Sequence, residues 1–503
     1  MTGRTARVGL CAALSLAVLS LAGCGTTVSR AARRAAEGGA AAGGETGLET
    51  GSASGTGAAT GAGAPGGPGA QATGAGGAGA STARALGGGT IGSGGGTAAG
   101  KSGPIKVGFV VSDYTKAAAA VGFAGGAVSN PQQFFQWLVK YYNAHGGLGG
   151  RTIEPVYATV DGASSDYNVA SQAACQTLTQ DNHVELVLSN LWVNPTLTSC
   201  LLSAGVPQFE GTSEVLNSSQ MLAQTPNLFV PAGLTTDREG AALINESVRQ
   251  GWLTPKDKLG IQYDSCPYDT GAVNGTVVPL LKSLGIPYLA IQAFDCGNGF
   301  ADVGKFSAGT QNAELQMHGA GVTKVMFMQQ GENGGLVFFS NYAESQGWRP
   351  TYLVSSNSLL QSTKSQGEMQ KSQMMNVRGV GWYPTVDVDK PPTTAPMHAC
   401  VQDSIDGGGQ TPASLNDLLT MYAACNAFAL GDAALRASGG AGHLPALRDA
   451  IERLGTSFVS VTSLGGQTRF GAGRHDGAGA EQPFLYHAQC DCFEYVAQPQ
   501  PVA

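Results

Sequence analysis

The stretch NAHGGLGGRTIEPVYATVD, Asn143 to Asp161, decides how the rest of the chain is read. An aromatic-rich pattern with helical spacing precedes it and ends in Tyr141 and Tyr142. Gly146, Gly147, Gly149 and Gly150 then fall within five positions. Glycine reaches positive φ without a Cβ clash, so a helix stops here and the chain turns. Beyond the turn, residues 153–160 alternate like a strand, with Val156, Ala158 and Val160 on one side. Asp161 opens a polar loop. Helix, glycine turn and strand make the return leg of a βαβ unit in a parallel sheet.

The flanks extend this reading. Residues 105–112, bounded by Pro104 and Asp113, are a near-continuous apolar run, as in a parallel strand buried on both faces. A long loop, 113–129, follows. Asn130-Pro131 offers a cap acceptor and a first-turn proline, and Phe134, Leu138, Tyr141 and Tyr142 then share one helical face, a core stripe. Pro155 removes a ladder donor, which suits an edge strand. Helix and strand patterns alternate through 170–178, 184–188, 196–203 and 207–210. A second series pairs helix 237–251 with strand 258–263, 268–284 with 288–293, 314–319 with 324–328, and 336–346 with 351–354. Strand 378–383 carries the chain back to the first set, which helices 414–437 and 444–454 finish. Short strands at 484–487 and 493–496 return to the second. Such alternation predicts doubly wound sheets.

The chain starts with Arg4 and Arg7 and an apolar run, 8–21, shorter than the roughly 20 residues of a membrane-spanning helix. Leu21-Ala22-Gly23-Cys24 resembles a bacterial lipobox, which implies cleavage before Cys24 and a lipid on its sulfur. Of the 79 residues in 25–103, 27 are glycine and none is aromatic, so the segment cannot offset its chain entropy by burial. It reads as a tether, spanning roughly 50 Å root-mean-square. The nominal GxGxxG at Gly61–Gly66 has no strand before it and carries no meaning. The body, 104–503, holds 21 basic and 32 acidic side chains, a net charge of −11, which disfavours nucleic acid. Its 400 residues predict two domains. No later apolar run is expected to reach membrane-spanning length.

The glycine stretch resembles the INAxGGxxGRxI part of the signature of the type 1 periplasmic-binding family, the branched-chain amino-acid-binding group of solute receptors. The resemblance covers about 104–497. It implies two doubly wound α/β domains, 104–228 with 385–476 and 229–384 with 477–503, joined by a hinge of three crossings. It also implies an extracytoplasmic, lipid-anchored monomer on the outer face of the cytoplasmic membrane. Such a receptor would hand a small solute to an ABC permease without a cofactor.

In open α/β sheets ligands sit beyond the carboxyl ends of strands, which selects 113–114, 189–192 and 210–213 from the first domain and 265–270, 329–333 and 355–357 from the second. The resemblance assigns the ligand carboxylate to Ser189, Asn190, Thr212 and Ser213, a covering ring to Tyr268, and an ammonium-binding acid to Asp269 or Glu332. Tyr114, Glu210 and Gln330 complete the candidate set, with Trp192 as a stacking ring or as rim packing. Departures from the family pattern lie in 113–129 and at Asn190-Leu191-Trp192; amino acids, amides and aromatic acids all remain open as ligands.

Eight body cysteines suggest disulfides in an exported protein. The resemblance implies Cys175–Cys200. Cys266 and Cys296 follow neighbouring strands roughly 4.8 Å apart, close to the ~5.5 Å that a bridge wants between Cα atoms. The pairing of Cys400, Cys425, Cys490 and Cys492 is open. His487, Cys490 and Cys492 could hold a metal, but without a second ligand pair at finger-like spacing a disulfide-bonded C-terminal strand is favoured. No GxSxG or HExxH occurs, and His475-Asp476 sits in a glycine-rich turn with no neighbouring nucleophile, so an enzyme is not expected. A ligand sensor signalling to a membrane partner is the alternative to a transport receptor.

Overall fold

The computed structural model describes residues 103–113, 130–162, 164, 166–190, 195–212, 214–215, 218–297, 302–328 and 332–502. The leader, Cys24 and the tether lie outside them. β1, Ile105–Asp113, is buried along almost its whole length. It pairs in parallel with β2, Ile153–Asp161, on one side and with β3, Leu186–Asn190, on the other. β4, Gln208–Glu210, and β6, Leu228–Phe229, complete a five-stranded parallel sheet in the order β2-β1-β3-β4-β6. Pro155 stands on β2, an edge strand, where its missing N–H costs no ladder bond. Two-residue strands β5, Glu214–Val215, and β7, Leu234–Thr235, pair separately.

The glycine stretch shows why its pattern is structural. Gly146, Gly147, Gly149 and Gly150 all have positive φ. At Gly147 a Cβ would meet the Arg151 carbonyl oxygen at 2.0 Å, so no other residue fits. Gly150 faces open space, so only its backbone conformation constrains it. Gly150→Ala is expected to cost about 1–2 kcal/mol, read as a lower urea midpoint with an unchanged slope. The Asn143 amide copies a strand partner: Nδ2 donates to the Ile153 carbonyl at 3.0 Å, and Oδ1 accepts from the Ile153 N–H at 2.7 Å. Arg151 makes a bidentate pair with Glu185 at 2.6 and 2.8 Å, and also donates to the Gly103 and Pro104 carbonyls. The motif thus clamps β1 to β2 and carries the fold rather than a site.

Each face of this sheet has its own core. On one face Phe109 packs with Phe135 and Phe428, beneath the helices Pro131–Ala144, Leu415–Ala437 and Leu444–Leu454. On the other, Val110 and Val187 meet Leu178, Leu197 and Leu201. In the helix Pro131–Ala144 the Asn130 side chain caps the Gln133 N–H as expected, and Phe134 and Leu138 are buried. The helix Ala395–Asp406, which follows the second crossing, was not foreseen in the sequence. Leu415–Ala437 corrects another expectation: at 23 residues it is long and apolar enough to cross a membrane. Its apolar residues are instead spent on the core, with Met421, Ala424, Phe428 and Leu435 buried.

The second sheet joins β8 (Leu259–Asp264), β9 (Tyr288–Phe294), β10 (Lys324–Met328), β11 (Thr351–Ser355) and β12 (Val377–Gly381) in parallel. β13 (Ala480–His487) and β14 (Cys492–Tyr495) add antiparallel strands, giving the order β14-β13-β12-β11-β10-β8-β9, with β15 (Gln500–Pro501) on β13. This sheet too is covered on both faces. The chain passes between sheets three times: from β6 to β7, after β12, and at Asp476 before β13. The helix expected at 314–319 is the last part of Val303–Gly319. Among the described residues four disulfides form: Cys175–Cys200, Cys266–Cys296, Cys400–Cys425 and Cys490–Cys492. The last pair removes Cys490 and Cys492 as metal ligands.

Candidate functional site

Register brings the carboxyl ends of β1, β3 and β4 side by side: Val111 pairs with Asn190, and Ser189 with Glu210. The polar groups there hold one another. The Ser189 hydroxyl donates to Glu210 Oε2 at 2.6 Å and accepts from Gln208 Nε2 at 3.1 Å. Glu210 Oε1 accepts from both the Thr212 N–H and the Thr212 hydroxyl at 3.2 Å. Ser112 Oγ lies 2.7 Å from the Tyr167 hydroxyl. Ser189 and Glu210 are buried, while Asn190 and Thr212 stay partly open.

On the second sheet the tip of β8 carries Asp264 and Ser265, fastened to the end of β9 by Cys266–Cys296, with Cα atoms 4.8 Å apart. Tyr268 and Asp269 occupy the first turn of the helix Pro267–Ala272 and are buried. At the tip of β11, Ser355 donates to Glu239 Oε1 at 2.6 Å and Asn357 Nδ2 donates to Oε2 at 2.8 Å. Burial pushes the Glu239 carboxyl up to about 7 against those two donors. Asp387, beside the tip of β12, is pushed up to about 7 by burial as well, although Tyr495 and the Tyr383 N–H bond to it.

The ends of β3 and β4 and the segment beyond β11 both reach the opening turns of the helix Leu415–Ala437. From the first sheet, Asn190 Nδ2 donates to the Thr420 carbonyl at 3.0 Å. Gly211 lies so close to the helix that a Cβ would stand 1.9 Å from the Ala423 oxygen. From the second, Ser362 Oγ donates to Asn416 Oδ1 at 3.5 Å, and Leu359 and Leu419 join one cluster with Trp382 and Tyr383. Of the candidates, Asn190 reaches this helix directly, whereas Tyr268 lies beside Thr236, whose hydroxyl donates to the Tyr268 carbonyl at 3.2 Å. Tyr114, Trp192, Ser213 and Gln330 lie outside the described residues. Glu332 opens the helix Glu332–Ser345, its side chain also outside them. Sequence reasoning overlooked Tyr167, Gln208 and Glu239, because each bonds to a strand-end residue that only the fold brings to it: Ser112, Ser189 and Ser355. A surface depression of 780 Å³ between the helices Tyr167–Gln176 and Pro195–Ser203 includes Gln172 and Thr196. It is open, stands on the outer side of the first sheet, and is not this site.

His475 and Asp476 are the third crossing. His475 packs on Phe229 at the end of β6, with ring centroids 4.7 Å apart, and its Nε2 lies 3.2 Å from Glu452, both on the side of the first sheet; burial lowers its pKa. Asp476 reaches into the second lobe, accepting from Arg238 Nη1 at 2.6 Å, from the Thr235 N–H at 3.0 Å and from the Thr235 hydroxyl at 3.2 Å. Adjacent residues therefore anchor opposite lobes.

No protein-family model matches the sequence, and no curated protein matches it. Solved structures do. The solute-binding protein of an ABC transporter from R. palustris, in complex with 4-hydroxybenzoate, is similar with a TM-score of 0.56 at 14% identity, covering 79% of this chain and 97% of that one. An ABC transporter substrate-binding protein from Desulfitobacterium hafniense, in complex with Leu, gives 0.52 at 16% identity, covering 78% and 100%. A leucine-binding protein from Thermotoga maritima gives 0.54 at 12% identity, covering 78% and 98%. The chain has the type 1 periplasmic-binding fold: two doubly wound α/β lobes joined by a three-crossing hinge.

Proposed function

We propose that the protein is the extracytoplasmic solute-binding component of an ABC importer, closing its lobes, 104–228 with 385–476 and 229–384 with 477–503, over a small polar solute. The observation that supports this reading is one helix, Leu415–Ala437, bonded by Asn190 at the end of β3 and by Ser362 in the segment beyond β11, in a fold similar to that of solved leucine-binding and 4-hydroxybenzoate-binding proteins. Asn190, Thr212, Tyr268 and Asp269 are the contacts we assign to the solute, with Tyr114, Trp192, Ser213, Gln330 and Glu332 beside them. Gln208, Ser189 and Glu210 form the chain of hydrogen bonds that holds Thr212, and Glu239 holds Ser355 and Asn357 at the tip of β11. A monomer tethered through lipidated Cys24 on the outer face of the cytoplasmic membrane would present the closed form to a permease. Binding drives closure only through differential affinity for the closed state. No step of catalysis is assigned.

A thermal-shift screen of amino acids, amides and aromatic acids tests this. A true solute at 100 times its Kd stabilises by about 2.7 kcal/mol, which raises the melting temperature by several degrees. Tyr268→Ala is expected to diminish that rise. A screen in which no small solute moves the midpoint would sink the proposal.

A further inference from the structure

We propose that the Cys490–Cys492 bridge is a thiol-exchange site, opened by an external dithiol before any other disulfide of the chain. It spans only two positions in sequence, whereas the others span 25, 30 and 25. Cross-links restrain the unfolded chain more the longer the loop they close, so this one adds least to stability. The hairpin that contains it is already closed by pairs from Phe484↔Tyr495 to His487↔Cys492 and by the contact of the Tyr486 and Phe493 rings, 5.3 Å apart. A staple is superfluous there.

The ring also costs something to close. Asp491, its middle residue, has φ 54, in the left-handed region where a side chain other than glycine is strained. Lys371 Nζ, 3.0 Å from Asp491 Oδ1, and the Tyr486 hydroxyl hold the Asp491 side chain in place. Cys490 is exposed and Cys492 buried, so one sulfur is open to attack and the other is the leaving group. A thiolate of the reductant bonds to Cys490 Sγ while the bond to Cys492 Sγ breaks, and Cys492 takes up a proton. The reductant's second thiol then displaces Cys490 and closes its own disulfide, so two electrons pass from the dithiol to the protein. The site is remote from the solute gap. β13 runs antiparallel to β12, with Gly381 opposite Gln482 and Arg378 opposite Leu485, so residues 487–492 turn at the end away from the strand tips. The proposal therefore stands apart from the solute-binding reading.

The test uses the full, native protein in mixtures of reduced and oxidised dithiothreitol, followed by alkylation and peptide mass mapping. Cys490 and Cys492 are expected to be alkylated at a reductant-to-oxidant ratio at least tenfold lower than any other cysteine. Cys296 is the internal control, because it is also exposed but closes a long loop. Asp491→Gly relieves the left-handed residue and is expected to raise the ratio needed. Opening together with or after Cys266–Cys296, no change with Asp491→Gly, or alkylation of Cys490 and Cys492 in protein never exposed to reductant would each overturn the proposal.

Discussion

Asp476→Ala is expected to lower the free energy of unfolding by about 3–5 kcal/mol, the cost of stranding one partner of a buried ion pair. Asp476 is 1% exposed, whereas Arg238 at 22% can turn partly to water, which places the expected loss toward the lower end of that range. The substitution also strips an acceptor from the Thr235 N–H, and an unmatched buried donor adds about 1–3 kcal/mol when nothing relaxes. Burial alone raises the Asp476 pKa; Arg238 and the Thr235 N–H oppose that rise. Denaturation in guanidinium would read the loss. A double-mutant cycle with Arg238→Met would separate the pair's coupling from the cost of the hole. The expectation fails if Asp476→Ala costs less than about 1 kcal/mol, the range of ordinary surface changes. His475→Ala removes the contacts with Phe229 and Glu452 on the side of the first sheet, so the two single variants should loosen the crossing from opposite ends. Solute affinity would fall in both, since each enlarges the set of open arrangements.

Much of this architecture was readable in the sequence, for identifiable reasons. Parallel strands buried on both faces are continuous apolar runs, so β1 and β10 emerge from composition alone, β10 with its limits unchanged. The glycine turn is readable because positive φ leaves few choices of residue. Cys266–Cys296 follows from strand spacing. What was not readable depends on partners far away in sequence. Leu415–Ala437 looks no more special than other helices, yet it meets the ends of β3 and β4 through Thr420 and Ala423 and the helix beyond β11 through Asn416. Glu239 looks like an ordinary first-turn acid, favourable near a helix N-terminus; only folding brings Ser355 and Asn357 to it, 116 and 118 positions away. The rule that ligands sit at strand ends selects loops of both sheets, but it does not tell which polar groups there stay open and which bond to each other. Ser189 and Glu210 illustrate the second case.

The protein is expected to be more stable at pH 5 than at pH 8. Glu239, Asp387 and Glu481 are each pushed up to about 7 by burial, from ordinary values of 4.5, 3.8 and 4.5. Between those ordinary values and 7 the folded chain keeps protons that the unfolded chain has released. Proton binding therefore favours the folded form at low pH, and stability declines as pH rises through that window. Each group contributes a slope of about 1.4 kcal/mol per pH unit while it is in the window. His475 acts in the opposite direction below its ordinary 6.5, because burial lowers its pKa and only the unfolded chain gains the proton. Asp257 and Glu344, whose pKa values are lowered through Lys324 and Arg349, give up stability only at more acid pH still. With Glu368, which burial also pushes up to about 7, four carboxyls thus outweigh one imidazole between pH 5 and 7. Glu239→Gln keeps the shape and can still accept from Asn357, but it has no charge to release. That variant should match the parent at pH 5, exceed it at pH 8, and flatten the slope by about 1.4 kcal/mol per unit in the middle of the window. Guanidinium denaturation at the two pH values decides the matter: a parent protein whose stability is level or rises from pH 5 to pH 8 would show that these carboxyls are ionised in the fold.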